Sequence, residues 1–222
     1  MKHLLEVDSV FKVYDKKTIL SDVYLKCETG DIIGILGRNG TGKSTLLKII
    51  YGIISTENKF VRIDYKVRRK AYLYNNEISY LPQNNFIPTY FKVSKVIKLF
   101  LDKGKIPDFN KDDFIQKIYS KKIKTLSGGE LRYLEIRLIL FKESKFVLLD
   151  EPFSNISPIF IEKINKLIIK YSKHKGIMIT DHNYKNVLSI STQLYLLKES
   201  AIRKLKNKEE LIKFGYLREG ML

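Results

Sequence analysis

A glycine-rich stretch at residues 37–45, GRNGTGKST, has the residue types and spacing that phosphate binding requires. Its glycines let the backbone turn N–H groups toward phosphate oxygens, while Lys43 can reach the β and γ phosphates and Ser44 can bind Mg²⁺. The stretch lies between a predicted strand and a predicted helix, which is the context expected of a phosphate loop. The predicted nucleotide contacts of this loop are Gly37, Arg38, Asn39, Gly40, Thr41, Gly42, Lys43, Ser44 and Thr45.

Two adjacent carboxylates, Asp150 and Glu151, end the hydrophobic run FVLLDE at 146–151. Alone, such a pair usually marks only the start of a loop. Behind a complete phosphate loop, it predicts that Asp150 holds Mg²⁺ and that Glu151 polarises an attacking water as a general base. An adjacent base also favours water, rather than the hydroxyl of a second substrate, as the phosphoryl acceptor.

Three single residues are predicted to complete the site. His182, in TDH, directly follows a buried run, which places it at the carboxyl edge of a sheet, where nucleotides bind. Gln83, in YLPQN, could touch Mg²⁺ or the lytic water with its carbonyl oxygen, and Tyr14 could stack on adenine. Each also has an ordinary interpretation, as a surface histidine, a polar loop residue and one of fourteen tyrosines.

A second glycine stretch, TLSGGELR at 125–132, also has the composition of a phosphate-binding turn that leads into a helix. The chain therefore has two such stretches, although one nucleotide needs only one of them.

Apolar strand patterns alternate with amphipathic helical patterns, which predicts an α/β fold with a parallel sheet covered by helices on both faces. Strands are predicted in the first 36 residues, at 57–81, and at FVLLDE, GIMIT, QLYLLK and AIRKL. Helical patterns follow the phosphate loop and occupy about 92–120, about 128–142, the segment starting at Ser157-Pro158, and NKEELIKF.

Several details of these helices are also predicted. The helix after the phosphate loop should bury Leu46, Leu47, Ile50 and Ile53 and stop at Gly52. The helix at 128–142 should have one apolar stripe, formed by Leu131, Leu134, Leu138 and Phe141. Asn207 and Glu210 should form a capping box for the last helix.

The composition predicts one globular, cytosolic domain, because 222 residues with 44% apolar content can bury a real core. No run approaches the roughly 18 apolar residues that span a bilayer, and acids stand where a signal peptide would be apolar. Cys27 is the single cysteine, so no intrachain disulfide is possible. The net charge of +17 comes from lysines scattered along the whole chain, which indicates solvated faces rather than a nucleic-acid surface.

The order of these motifs resembles that of the ATP-binding cassette (ABC) family. Tyr14, GRNGTGKST, Gln83, LSGGE, FVLLDE and TDH occur in the family's order and approximate spacing, and the resemblance covers nearly the whole chain. LSGGE is the most specific element, because it matches the family's signature motif, which small kinases and GTPases lack. The resemblance implies a nucleotide-binding subunit of an ABC transporter that hydrolyses ATP, with ATP and Mg²⁺ as its cofactors.

The resemblance also implies an architecture: a phosphate-loop NTPase core of ABC type with an N-terminal antiparallel β subdomain and a short helical subdomain. A single cassette would span 1–222, with the core and β subdomain at about 1–83 and 127–222 and the helical subdomain at 84–126. Membrane-spanning permease subunits would dock near 84–126, which would place the chain at the inner face of the cell membrane.

The two glycine stretches then have different roles. By the resemblance, Ser127, Gly128, Gly129 and Glu130 would face the γ phosphate of ATP held by another copy of the chain. Two subunits would therefore dimerise head to tail around two ATP molecules.

The sequence departs from the family in the loop after the carboxylates, where Ser157 stands in place of the usual aspartate. That loop crosses the dimer interface in relatives, so the coupling between the two ATP sites is left open. A soluble ABC-type ATPase, such as an iron–sulfur cluster assembly subunit, remains an alternative because it too is a lone cassette. The cargo and the direction of transport depend on the membrane subunits.

Overall fold

The computed structural model describes residues 2–154 and 156–221, which form two β-sheets surrounded by helices. The strands are β1 (Leu4–Tyr14), β2 (Lys17–Glu28), β3 (Ile32–Leu36), β4 (Asn58–Ile63), β5 (Lys66–Val67), β6 (Ile78–Leu81), β7 (Phe146–Asp150), β8 (Gly176–Thr180), β9 (Gln193–Lys198) and β10 (Ala201–Leu205). The helices are α1 (Lys43–Tyr51), α2 (Val93–Phe100), α3 (Ile106–Phe109), α4 (Asp113–Ile118), α5 (Gly128–Phe141), α6 (Pro158–Ser172), α7 (Tyr184–Ile190) and α8 (Glu210–Lys213).

The first sheet is antiparallel, with strand order β2-β1-β4-β5. Its long strands β1 and β2 alternate buried apolar residues with more exposed ones, as expected of a sheet with one face against a core. The N-terminal antiparallel subdomain is therefore confirmed.

The second sheet has strand order β10-β9-β3-β8-β7-β6, and all of its pairs are parallel except β10 with β9. Strands β3, β7 and β8 are completely buried, which explains why they are continuous apolar runs in the sequence. Because these strands are parallel, the segments that follow β3, β6, β7 and β8 all leave the sheet at the same edge.

Alternate residues of the central strands face two separate cores. Ile33, Leu148 and Met178 pack with α1 and the antiparallel sheet, whereas Ile177 and Ile179 pack with the helices on the opposite face. The predicted parallel sheet with helices on both faces is confirmed. One of the two faces is covered by α1 together with the first sheet.

Helix α1 ends where the sequence predicts. Gly52 adopts the left-handed conformation with φ 98° and donates its backbone N–H to Lys48 O, which terminates the helix. Leu46, Leu47 and Ile50 are buried as expected. The prediction for Ile53 was wrong: it lies beyond the stop and is 50% exposed, because the left-handed turn at Gly52 takes the chain off the helix.

The other helices differ from their predictions in detail. The helical segment predicted at about 92–120 contains three short α-helices, α2, α3 and α4, whereas α7 was not predicted. Helix α5 has no single apolar stripe, because every residue from Leu131 to Leu140 is buried. At α8, Asn207 accepts from the Glu210 N–H, but the Glu210 carboxylate accepts from Lys206 N rather than completing a capping box with Asn207.

Among the described residues, no helix combines the length and apolar character needed to cross a bilayer.

The two sheets meet closely at Gly176, the first residue of β8. A Cβ atom there would lie 2.6 Å from the Phe146 ring and 2.7 Å from Cys27 Sγ. Both neighbours are buried, at 1% and 0% exposure, so neither side chain has free space into which it can move. Only glycine fits at this junction.

We expect Gly176→Ala to lower the free energy of unfolding by about 1–3 kcal/mol, because a methyl group would overpack the contact between the sheets. Chemical denaturation of the purified protein measures the change. Gly104→Ala is the matched control, since a Cβ at Gly104 meets nothing within 4 Å. A Gly176→Ala protein as stable as the control would contradict the packing argument.

Candidate functional site

The phosphate loop connects β3 to α1 at the carboxyl edge of the central sheet. Gly42 has φ 103°, a left-handed conformation that side chains disfavour, and a Cβ at Gly37 would lie 2.6 Å from Leu197 O. Gly42 also occupies the N-cap position of α1 without a side-chain capping bond, so the first amides of the helix have no side-chain acceptor at that position. This is the arrangement in which a helix N-terminus binds an anion.

Lys43 lies inside the loop with 6% exposure. Its Nζ donates to Gly37 O at 2.7 Å and to Arg38 O at 3.1 Å. Burial lowers the pKa of Lys43 from its ordinary value, while the nearby carboxylates of Glu151 and Asp150 oppose that shift. The ammonium group is therefore held by two backbone carbonyls of its own loop.

Asp150, at the end of β7, has no exposed surface and collects three hydroxyl donors. Ser44 Oγ donates to Asp150 Oδ1 at 2.7 Å, Thr180 Oγ1 donates to the same oxygen at 2.9 Å, and Tyr80 OH donates to Oδ2 at 3.0 Å. Burial, followed by the charge of Asp150, raises the pKa of Tyr80 above its ordinary value, so this hydroxyl remains a donor.

Glu151 has φ 49°, the left-handed region that a residue with a side chain rarely adopts. Its N–H donates to Thr180 O at 2.7 Å. Its Oε2 accepts from Gln83 Nε2 at 2.9 Å and from Ser154 Oγ at 3.1 Å, and His182 Nδ1 lies 3.5 Å from the same oxygen. The sharp turn after Asp150 thus points the second carboxylate at Gln83 and His182.

These groups surround one cavity of about 510 Å³. Its lining residues are Tyr14, Ile19, Asn39, Gly40, Gly42, Lys43, Ser44, Thr45, Gln83, Glu151 and His182. The structure therefore brings together the phosphate loop, the aromatic residue and the predicted catalytic groups. Asp150 lies behind the cavity and reaches it through Ser44. Gly37 forms the base of the loop, while Arg38 and Thr41 line a separate cavity of about 290 Å³.

The second glycine stretch does not line that cavity. Ser127 is the N-cap of α5, where its hydroxyl accepts from the Glu130 N–H at 3.2 Å and its own N–H donates to Glu130 Oε2 at 2.8 Å. Gly129 packs against the Phe160 ring, which a Cβ would approach to 3.0 Å. Gly128 lines a neighbouring cavity, of about 420 Å³, beyond Gln83 and Glu151.

Several residues around the site were missed from the sequence. Tyr80 and Thr180 hold Asp150, and Asp181 accepts from Phe153 N and Asn183 N, both at 2.8 Å, which fixes the turn that carries His182. Burial raises the pKa of Asp181 above its ordinary value. The feature that could have identified Tyr80, Thr180 and Asp181 is their position in the sheet. Each lies in the last residues of a parallel strand or directly after it, beside the strand that ends in Asp150.

The loop after the carboxylates is described only in part, because Asn155 lies outside the described residues. Ser157 occupies the predicted N-cap position of α6 and Pro158 its first position, but the Ser157 side chain makes no capping hydrogen bond. Ser157 is exposed on the surface.

Known proteins are similar to this chain in sequence and in fold. The ABC transporter family model matches residues 20–154. The chain is 30% identical over 208 residues to the lipopolysaccharide export system ATP-binding protein LptB of Haemophilus influenzae, covering 87% of this chain and 86% of that protein. It is 26% identical over 235 residues to LptB of Acidithiobacillus ferridurans, covering 100% and 98% of the two chains.

A solved structure of an ATP-binding subunit of an ABC transporter superposes with a TM-score of 0.82 at 20% identity, covering 97% of this chain and 95% of that one. The fold predicted from the sequence is therefore confirmed. The named relatives are subunits of transport systems, which favours transport over the iron–sulfur assembly alternative. With a family match over more than half of its length and a relative aligned over most of both chains, this protein belongs to the ABC transporter family, as an ATP-hydrolysing subunit that powers a transporter together with membrane permease subunits.

Proposed function

We propose that this subunit hydrolyses Mg²⁺-ATP in a composite site, with Glu151 as the general base and a second copy of the chain completing the site. The observation that carries the proposal is the convergence of Lys43, the Ser44–Asp150 pair and Glu151 at one edge of the sheet. Lys43 would supply a positive group for the phosphates, the Ser44–Asp150 pair would supply oxygen ligands for a metal, and Glu151 would supply a base for water.

ATP binding would use groups that the loop already orients. The phosphates would take the unsatisfied amides at the start of α1 and the Lys43 ammonium, replacing the carbonyls of Gly37 and Arg38 as its acceptors. Tyr14, 42% exposed at the end of β1, lines the same cavity and offers a ring face for adenine.

The residues present fit Mg²⁺. A hydroxyl and a carboxylate converge at Ser44 and Asp150, and Mg²⁺ is usually held by one or two protein oxygens together with substrate phosphates. All three donors to Asp150 are uncharged hydroxyls, so none of these hydrogen bonds pairs the carboxyl group with a cationic side chain that would compete with a metal. Gln83 could add its carbonyl oxygen. When bound, Mg²⁺ would neutralise charge on the phosphate oxygens.

Water activation would be the role of Glu151. Its Oε2 accepts hydrogen bonds from Gln83 and Ser154, which orient the carboxylate at the wall of the cavity, where it can accept a proton from water. His182, 54% exposed and with its Nδ1 3.5 Å from the same oxygen, would orient the water or the γ phosphate.

A second subunit would supply the signature residues. Ser127, Gly128, Gly129 and Glu130 lie outside the cavity of their own phosphate loop, at the N-terminus of a 14-residue helix. Such a terminus favours negative charge, so it would suit the γ phosphate of ATP bound to a facing copy. The assembly formed in this way would be a head-to-tail dimer with two ATP molecules at its interface.

The permease subunits would dock on the segment 84–126, which we propose is the helical subdomain. It exposes large apolar side chains, with Tyr90 at 71%, Leu99 at 59% and Phe100 at 37%. Exposed apolar groups of this size are typical of protein contacts. Docking there would hold the subunit at the cytoplasmic face of the membrane.

We expect Glu151→Gln to bind ATP with a Kd within about threefold of wild type and to hydrolyse it at least about 100-fold more slowly, because the amide cannot accept the proton of water. A phosphate-release assay and a nucleotide-binding titration measure the two effects. Glu162→Gln, which changes an exposed glutamate on α6, is the matched control. Turnover like wild type in Glu151→Gln would contradict the assignment of the base.

With ATP present, we expect Glu151→Gln to elute as a dimer, because unhydrolysed ATP would hold the two subunits together. Adding Ser127→Arg to the same chain should leave ATP binding intact and abolish the dimer, since a bulky cation would block the γ phosphate contact. Size-exclusion chromatography with light scattering measures the mass. Ser127→Ala controls for the lost N-cap, which is worth about 1 kcal/mol. A dimer that survives Ser127→Arg would show that the signature lies outside the interface.

We expect Leu99→Glu to leave the ATPase rate of the isolated subunit unchanged and to abolish copurification with membrane subunits from detergent extract, because a charge on the apolar surface would prevent docking. Ile169→Glu, at a 46% exposed position on α6, is the control. Equal copurification of both variants would place the docking surface elsewhere.

A further inference from the structure

Arg132 and Glu135 form a buried ion pair one turn apart on α5, with 4% and 0% exposure and a distance of 3.3 Å between Nη1 and Oε2. Burial lowers the pKa of Arg132 and raises that of Glu135, while their attraction opposes both shifts. Breaking such a pair strongly destabilises a protein, but its presence alone is weak evidence of a stabilising role. Its hydrogen bonds indicate what else it does.

Arg132 binds the carbonyl groups at the ends of two neighbouring strands. Nη1 donates to Pro82 O at 2.8 Å, while Nη2 donates to Asp150 O at 2.8 Å and to Glu151 O at 3.1 Å. The planar guanidinium can reach all three carbonyls because its donors are fixed in a fork. One side chain therefore fixes the position of the Gln83 loop relative to the two carboxylates.

Glu135 holds the other end of the same loop. Its Oε1 accepts from Phe86 N at 2.8 Å and from Ile87 N at 3.4 Å. Gln83 thus lies in a short loop that is attached to α5 through Pro82 on one side and Phe86 on the other.

The contact with Glu151 stabilises a strained backbone. The left-handed conformation of Glu151 costs about 1–2 kcal/mol for a residue with a side chain. Its N–H is bound to Thr180 O and its C=O to Arg132, so both backbone polar groups have partners in this conformation. Without Arg132, the buried carbonyl of Asp150 and the partly buried carbonyl of Glu151 would lose a charged donor at the turn that aims the carboxylate.

We propose that Arg132 and Glu135 are positioning residues for ATP hydrolysis, which set the distance between Gln83 and the Glu151 carboxylate. Neither side chain lines the cavity of the phosphate loop, although Arg132 lines the neighbouring cavity of about 420 Å³ beside Gln83 and Glu151. We therefore assign them an action through the residues that they hold. The inference rests on the proposed roles of Gln83 and Glu151.

Arg132→Lys tests the fork. Lysine keeps the positive charge, but a single Nζ cannot reproduce three directed bonds to carbonyls. We expect kcat to fall at least about tenfold, because small displacements of catalytic groups have large effects on rate. The KM and Kd for ATP should stay within about threefold of wild type.

Glu135 variants test the loop independently. We expect the amides of 84–87 to exchange hydrogen faster in Glu135→Ala, measured by mass spectrometry, with a matching fall in kcat. Glu135→Gln keeps an acceptor for Phe86 N, so it should restore much of the amide protection and of kcat. If Arg132→Lys does not fold, these two variants decide the proposal.

Arg137→Lys is the matched control, because Arg137 is buried on the same helix but binds Phe109 O and Asp112 instead of the loop. Its kcat should equal that of wild type at matched thermal stability. Glu151→Gln is measured in parallel.

If Glu151→Gln loses turnover while Arg132→Lys and Glu135→Ala keep kcat within threefold of wild type, the positioning proposal is overturned and the proposed base stands. The positioning proposal is also overturned if Arg137→Lys lowers kcat as much as Arg132→Lys, since the effect would then be structural. Wild-type turnover in Glu151→Gln overturns the proposed base and this inference with it.

Discussion

Asp150 is a completely buried carboxylate whose partners come from three different elements. Ser44 comes from α1, Tyr80 from β6 and Thr180 from β8. A buried charge is costly unless it is hydrogen-bonded, so folding requires these elements to meet at one point. All three donors are uncharged hydroxyls, so the interaction that organises this edge of the sheet pairs Asp150 with no cationic side chain, and this is the carboxylate that we propose binds Mg²⁺.

Glu151, the next residue, has the opposite character. It is only partly buried, its backbone is strained, and its Oε2 is shared by Gln83 and Ser154. Strain of this kind persists only where the surroundings over-determine it, which Thr180 O and Arg132 do here. The two hydrogen bonds from Gln83 and Ser154 hold the carboxylate that we propose is the general base. Movement of the Gln83 loop would therefore change the position of that carboxylate.

The sequence predicts local features of this fold well and long-range contacts poorly. The phosphate loop, the buried strands and the stop at Gly52 were predictable because each depends on a few adjacent residues. The burial of α5 on all sides was not, since Arg132, Glu135 and Arg137 suggested a polar face and only tertiary contacts neutralise it. Tyr80 and Thr180 could not be assigned either, because their role depends on the strand order β8-β7-β6, which brings three separate segments together.

Helix α5 unites these observations in one rigid element. Its first turn carries Ser127 and Gly129, which we propose face the ATP of a second subunit, and its second turn carries Arg132 and Glu135, which hold the Gln83 loop and the base of the same subunit. A helix buried from Leu131 to Leu140 moves as a unit, since packed interiors transmit displacement rather than absorb it. A shift of the signature turn on contact with a facing ATP would therefore displace the loop that restrains Glu151. Coupling between the two proposed ATP sites would then need no residue that touches both, and this route would not pass through Ser157, which stands where the family resemblance implies an aspartate.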